Sequence, residues 1–282
     1  EEIRDSIDTI LLKIDNTLSG YNRNSLLSRY NAGEVSLSES LSDSLFRKLY
    51  SYSVMVYEET DGVVDAAAGP LFDLWGFGFR SGDFPSDAEV IELKESVGMK
   101  NMLLSGKGML NFNAIAQGYS CDLVAEYLYS IGVQDMMVDI GEIFCDGRNP
   151  SGQPWSLGID KPVDGNNEPG AQIQGVFRAP EGPHGIVTSG NYRKFYMKDD
   201  KKYSHSIDPR TGYPVTHNLL SATIVANDAL TADAYATYCM VVGLEESKEF
   251  LESRTDLEGC LIYDENGLFK TWCSEGFVLE EL

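Results

Sequence analysis

Leu219-Leu-Ser-Ala-Thr-Ile-Val-Ala226 runs directly into Asn227-Asp-Ala-Leu-Thr-Ala-Asp-Ala-Tyr-Ala-Thr-Tyr-Cys-Met-Val-Val-Gly243, and the reading of this junction decides the fold. The first eight residues read as a strand. Asn227 or Asp228 then offers an N-cap and Gly243 a C-terminal stop, so a helix is expected between them. Asp233 and Thr237 stand four apart, which sends both side chains from one face, one turn from each other. Ala229, Ala232, Ala234 and Ala236 are too small to fill a core alone and suit a helix approached closely by backbone or ligand. A carboxylate beside a hydroxyl offers hard oxygen ligands to Mg²⁺ or Ca²⁺. The same pattern also suits a capped, half-buried helix whose Asp and Thr bond locally.

Working outward, residues downstream give a helix over 245–253 and a closing hairpin about Asn266-Gly267. If that turn has two residues, Cys260 faces Cys273 at a non-hydrogen-bonded position, where side chains are closest, and the two thiols can cross-link under oxidising conditions. Cys121 and Cys239 fall in apolar helical patterns and read as buried thiols. Upstream, residues 136–146, 155–160, 172–178 and 185–188 read as strands, and 192–197 with 203–207 as a hairpin around Lys198-Asp-Asp-Lys-Lys202. The loop over 161–170 reads as mobile surface. Toward the N-terminus, Ile3, Ile7, Ile10, Leu11, Ile14 and Leu18 predict an amphipathic helix over 1–18. Residues 26–30 form a short apolar segment, 38–59 a second long helix, and 85–97 a surface helix. Residues 102–104 and 109–112 read as strands about Ser105-Gly-Lys-Gly108. From 111 a strand is expected to turn into a helix whose exposed N–H groups suit phosphate. Strands outnumber helices and are mostly joined by hairpins, so the class is α+β with antiparallel sheet. No internal repeat or linker separates independent domains.

Composition narrows the function. A chain of 282 residues with 43% hydrophobic content holds an ample core, and its net charge of −22 argues against a nucleic-acid partner, which needs a basic face. An acidic protein that takes a polyanion needs a local cation, and a metal is the simplest source. Three histidines and the lack of a Cys-x-x-Cys pair leave little for a structural zinc site. No transmembrane run or signal peptide is visible, and the sequence opens inside a helix.

Two further stretches carry chemistry. Val63-Val-Asp-Ala-Ala-Ala-Gly-Pro-Leu-Phe-Asp-Leu-Trp-Gly-Phe-Gly78 mixes small residues with aromatics, and brings backbone close to another strand or a planar ring. His205-Ser-Ile-Asp-Pro-Arg-Thr-Gly-Tyr-Pro-Val215 ends a strand in a turn that can set His205 beside Asp208.

Together with Ser19-Gly-Tyr-Asn-Arg-Asn-Ser-Leu-Leu-Ser-Arg-Tyr-Asn31, Ala114-Ile-Ala-Gln-Gly-Tyr119, Thr188-Ser-Gly-Asn-Tyr-Arg193 and Ala232-Asp-Ala-Tyr-Ala-Thr237, these segments resemble, in order and through nearly the whole chain, the ApbE family of FAD:protein FMN transferases. The resemblance implies a T-fold-like α+β architecture, with antiparallel sheets, packed helices and two coupled lobes, in a single flavin transferase domain over 1–282. It implies a Mg²⁺ held by Asp233, Thr237 and the backbone carbonyl of Ala114. FAD, the substrate, is then contacted at Tyr21, Val63, Val64, Asp65, Asn111, Gln117, Ser189 and Val215. His205 takes a catalytic role, with Asp208 orienting it or acting as the base. FMN passes to a Thr or Ser hydroxyl of an acceptor flavoprotein and AMP leaves; an FAD pyrophosphatase giving FMN and AMP, or a non-catalytic FAD-binding protein, are the alternatives. An exported protein, periplasmic or lipid-anchored at a bacterial envelope, is the location expected, with any membrane tether outside this sequence. Many members carry Asp at 111, Gly at 113 and 114, and Lys at 117, where this chain has Asn111, Asn113, Ala114 and Gln117. Loss of a carboxylate and an ammonium together leaves the local charge unchanged.

Overall fold

The structure, a computed structural model, describes residues 2–78, 84–166, 168, 170–192, 195–198 and 201–281. The chain divides into two compact units: residues 1–116 with 207–214, and residues 117–206 with 215–282. Mixed helices and antiparallel sheets match the expected class. Among the described residues no helix is long and apolar enough to cross a membrane.

Unit 1 is mainly helical. Helix α1 (Glu2–Leu18) is followed by α2 (Leu26–Asn31), where the sequence predicts only a short apolar segment. Ser25 decides this, its hydroxyl accepting the Ser28 N–H at 2.9 Å as an N-cap. The single helix expected over 38–59 is two, α3 (Leu37–Ser40) and α4 (Ser44–Glu59), because Asp43 takes the Leu45 and Phe46 N–H groups and restarts the helix. Helix α5 (Gly69–Leu74) follows, with Pro70 in its first turn, where no N–H is needed. Trp75 closes it and donates its indole N–H to the Gly212 carbonyl at 2.8 Å. Helix α6 (Asp87–Ser96) carries a capping box from Ser86 and Glu89.

The strands expected at 102–104 and 109–112 are absent. The first is part of α7 (Met99–Ser105). The second belongs to neither helix nor strand, because the Asn31 side chain takes main-chain groups of Leu110: Asn31 Nδ2 donates to the Leu110 carbonyl and Leu110 N–H to Asn31 Oδ1, both at 2.8 Å. Phe112 from this segment packs edge-to-face on Phe46, which meets Tyr30 likewise, with centroids 5.6 and 5.8 Å apart.

In unit 2, helix α8 (Ala116–Ser130) leads into the hairpin β1 (Met136–Asp139) and β2 (Ile143–Asp146), then β3 (Ser156–Asp160), β4 (Ile173–Arg178) and β5 (His184–Gly190). No strand precedes α8. The loop expected over 161–170 lies partly outside the described residues; within them, buried Asn166 donates to the Lys161 and Gln172 carbonyls. A hairpin of β6 (Phe195–Lys198) and β7 (Lys201–Ser204) comes next. The chain visits unit 1 for the short pair β8 (Ile207–Asp208) and β9 (Tyr213–Pro214), then returns for β10 (Leu219–Ala226). Helices α9 (Ala229–Val242) and α10 (Leu244–Glu252), the hairpin β11 (Glu258–Glu265) and β12 (Leu268–Cys273), and β13 (Leu279–Glu281) complete it.

The main sheet is antiparallel throughout, in the order β1-β2-β5-β10-β11-β12. A second sheet runs β13-β4-β3. Cys145, Ile186, Val225, Cys260 and Ile262 from the first meet Leu157, Ile159 and Phe177 from the second in one core, with Phe177 stacked on Phe277. Helix α9 covers the opposite face, over β5 and β10. Strand β10 is therefore buried on both sides, which is why it reads as a nearly unbroken apolar run.

Candidate active site

The site is built from the start of α9. A helix leaves its first N–H groups without internal partners, and here each is met. Ala229 and Leu230 donate to the two oxygens of Asp122, 2.8 Å each. Thr231 donates to Asp228 Oδ1 at 2.7 Å, and Ala232 to the Asp228 carbonyl at 3.2 Å. The predicted N-cap is thus Asp228, with Asp122 of α8 as a second cap from across the fold. Asp233 makes the reverse contact: its Oδ2 accepts the Gly118 N–H, in the first turn of α8, at 3.0 Å. Each helix lends a carboxylate to the other. The backbones come this close because Gly118 has no side chain, as a Cβ there would lie 2.1 Å from the Ala229 carbonyl oxygen. Gly185 of β5 makes the same allowance from the sheet, where a Cβ would lie 2.2 Å from the Ala229 nitrogen.

Burial dominates the electrostatics. It pushes the Asp122 carboxyl up to about 6 against the pull of its two N–H donors. It also raises Asp233 well above the usual carboxylate range, with the neighbouring Asp122 charge adding to the shift and the Gly118 N–H opposing it. A carboxylate disfavoured in this way is stabilised by a nearby cation. One turn on, Thr237 is half-buried, and among the described residues its hydroxyl has no hydrogen-bond partner. The Gly118 N–H, aimed at Asp233, does not close a helical turn on the carbonyl four residues back, and α8 begins only at Ala116. The Ala114 carbonyl, in unit 1, therefore stays outside the ladder of α8. Within unit 2, a carboxylate and an unbonded hydroxyl one turn apart are by type donors to a hard divalent ion. Among the described residues no cluster of three or more His, Cys, Asp or Glu offers another metal set.

The residues expected to meet FAD fall in both units. In unit 1, Tyr21 is 66% exposed and its hydroxyl accepts from Asn113 Nδ2 at 3.3 Å. Val63 and Val64 are buried, so their side chains belong to the core. Asp65 serves the local backbone, accepting the Ala67 N–H at 2.8 Å and the Met99 N–H at 3.0 Å; it thereby caps α7, and burial raises its pKa. Asn111 accepts the Asn113 N–H at 2.9 Å in a local turn. In unit 2, Gln117 is exposed on α8, its amide 3.5 Å from the Ile140 carbonyl. Ser189 shares the sheet face of Gly185, the face covered by α9. The Val215 N–H donates to the Ser206 carbonyl at 2.9 Å.

His205, half-buried in unit 2, stands on the bend just after β7. Asp208, in unit 1, is held by Arg210, whose Nε and Nη2 reach its two oxygens at 3.0 and 3.1 Å. The Asp208 carbonyl meanwhile accepts from the Thr211 and Gly212 N–H groups, closing the turn. Sequence reasoning misses Asp122. Its signal is faint: one acid four residues after Gly118 on a helix with a buried, mostly apolar face.

Residues 1–261 match the model of the ApbE family. The FAD:protein FMN transferase of Escherichia coli strain K12 is 34% identical over 291 residues, covering 98% of this chain and 81% of that protein. The protein of the same name from Vibrio cholerae is 31% identical, covering 98% and 83%. Among solved structures, the flavin transferase ApbE from Vibrio cholerae superposes with a TM-score of 0.81 at 29% identity, covering 97% of this chain and 88% of that one. The ApbE protein from Thermotoga maritima gives 0.79 at 25% identity, covering 97% and 89%.

Proposed function

This chain belongs to the ApbE family, and we propose that it is a flavin transferase that moves FMN from FAD to an acceptor protein. The observation that carries this reading is Asp233 buried on α9 with the Thr237 hydroxyl, unbonded among the described residues, one turn away, in a chain matched over 98% of its length by a protein of that name. Asp233, Thr237 and the Ala114 carbonyl would hold Mg²⁺, which when bound supplies charge neutralisation on the FAD diphosphate.

The other residues do the positioning and the proton transfer. Tyr21, Asn111, Gln117 and Ser189 offer polar groups to FAD, and Val63, Val64, Asp65 and Val215 line it mainly through backbone. A Thr or Ser hydroxyl of the acceptor attacks the phosphorus on the FMN side. The new O–P bond forms as the bond to the AMP phosphate breaks, and AMP leaves with the electron pair. His205 takes the hydroxyl proton, since imidazole alone among the side chains of this motif has an ordinary pKa near neutrality. Asp208 holds the turn after His205, because its carboxylate is already paired with Arg210. The unit of function proposed is the whole chain, residues 1–282.

The decisive experiment incubates the protein with FAD and Mg²⁺, with and without an acceptor flavoprotein, and follows AMP. AMP formed only with acceptor, together with flavin bound covalently to it, is expected. AMP formed equally without acceptor would replace transfer by hydrolysis, and bound FAD with no AMP would leave a flavin-binding protein.

A further inference from the structure

We propose that Asp122 is a positioning residue for the metal site, fixing Asp233 by clamping the first turn of the helix that carries it. The proposal rests on the reading of Asp233 as a metal ligand.

The geometry is reciprocal and confined to unit 2. Asp122 binds the Ala229 and Leu230 N–H groups at 2.8 Å each, and Asp233, one turn further along α9, binds the Gly118 N–H of α8 at 3.0 Å. Either contact alone would let one helix slide or roll against the other. The two run in opposite senses between the same helices, so a shift that relieves one breaks the other. Gly118 and Gly185 close the remaining freedom: each meets the Ala229 backbone where a methyl group would not fit. The start of α9 is thereby wedged between α8 and β5. A ligand carboxylate that must present one oxygen to a cation, while the other stays on an N–H, needs its helix held in this way. Asp228 contributes to the same turn through Thr231, but from within its own chain segment, and does not tie α9 to α8.

A merely structural Asp122 would lower stability without touching the metal. Mn²⁺ alone, titrated into the full chain and followed through loss of its free-ion EPR signal, separates the two. Asp122→Asn keeps the volume but replaces one acceptor by a donor, and it should weaken Mn²⁺ binding about tenfold or more. Asp122→Glu, which keeps the carboxylate, should recover part of that loss. Leu49→Ala, a core change in unit 1 that lowers stability, should leave Mn²⁺ affinity unchanged. An Asp122→Asn protein within about twofold of wild type, or a Leu49→Ala protein equally weakened, overturns the proposal. Asp233→Asn distinguishes its failure from that of the functional reading. If Asp233→Asn loses Mn²⁺ while Asp122→Asn keeps it, only the positioning role falls. If Asp233→Asn binds as wild type, or wild type binds none, the metal assignment falls and this proposal with it. Should Asp122→Asn fail to fold, Asp122→Glu carries the test alone: its longer arm cannot take both N–H groups in the same geometry, so it should still bind Mn²⁺ more weakly than wild type, and affinity within about twofold of wild type is then fatal.

Discussion

Asp233 pairs a buried carboxylate with a single backbone donor, an arrangement that a divalent ion would complete. Asp233→Ala should abolish divalent-ion-dependent AMP release, while circular dichroism shows a folded protein; wild-type rates in that variant would remove the assignment. His205→Ala should slow transfer by about a hundredfold or more, the usual share of a general base, with FAD affinity nearly unchanged. Unaltered transfer would exclude it as the proton acceptor. Asp122 predicts a pH dependence of stability. Its pKa is raised from 3.8 to about 6 in the folded chain, so the folded state holds a proton that the unfolded chain has released. The contribution is therefore full below about pH 4 and is lost as pH rises through about 6, with a span on the order of 3 kcal/mol. Denaturant unfolding without divalent ions should show wild type losing stability over this window more steeply than Asp122→Asn. Parallel curves would show that burial does not shift the group. The i, i+4 spacing makes Asp233 and Thr237 legible from sequence. Asp122 is not, because its partners on α9 lie more than a hundred residues away and only folding brings them together.

At the scale of elements, the register of β11 and β12 is open to counting. Asn266 and Gly267 both have positive φ, 56° and 81°, as a two-residue type I′ turn requires, and Cys260 falls opposite Cys273. Both thiols are free, with Cys260 buried and Cys273 half-buried. A disulfide reagent such as oxidised glutathione should convert the pair to an intramolecular disulfide, two thiols giving up two protons and two electrons to the reagent, whose own disulfide is reduced. Mass spectrometry should then find these two cysteines linked and Cys121, Cys145 and Cys239 still free. A link elsewhere, or none, would contradict the register as an accessible pair. Residues 102–104 mislead because a short apolar run fits strand and helix alike. The choice is made by Asp65, which caps α7 from 34 positions upstream. Residues 109–112 mislead for a related reason: their sequence is strand-like, but an asparagine side chain stands in for the partner strand. Asn31→Ala should leave the Leu110 N–H and carbonyl unpaired in a buried setting, at a cost of about 2–4 kcal/mol in unfolding free energy. A loss under about 0.5 kcal/mol would mean that water replaces the amide.

The whole molecule carries a net charge of −22 and is expected to take a substrate that is itself an anion at its diphosphate. These charges repel at long range, and salt screens such fields over about 10 Å at 0.1 M. The capture of FAD should thus respond to ionic strength in the sense opposite to a basic nucleotide-binding protein. Raising NaCl from about 20 mM to about 200 mM with the divalent ion chelated should speed FAD association, because the screened interaction is repulsive. With the divalent ion present the dependence should shrink, since the ion places positive charge where the diphosphate arrives. Stopped-flow quenching of flavin fluorescence reads both arms. Association that slows with salt in the chelated protein would mean that a local basic patch, not the overall charge, governs capture, and would shift the search for phosphate contacts toward the lysines and arginines of unit 1. The sequence total alone carries this prediction, which makes it independent of every side-chain contact described above.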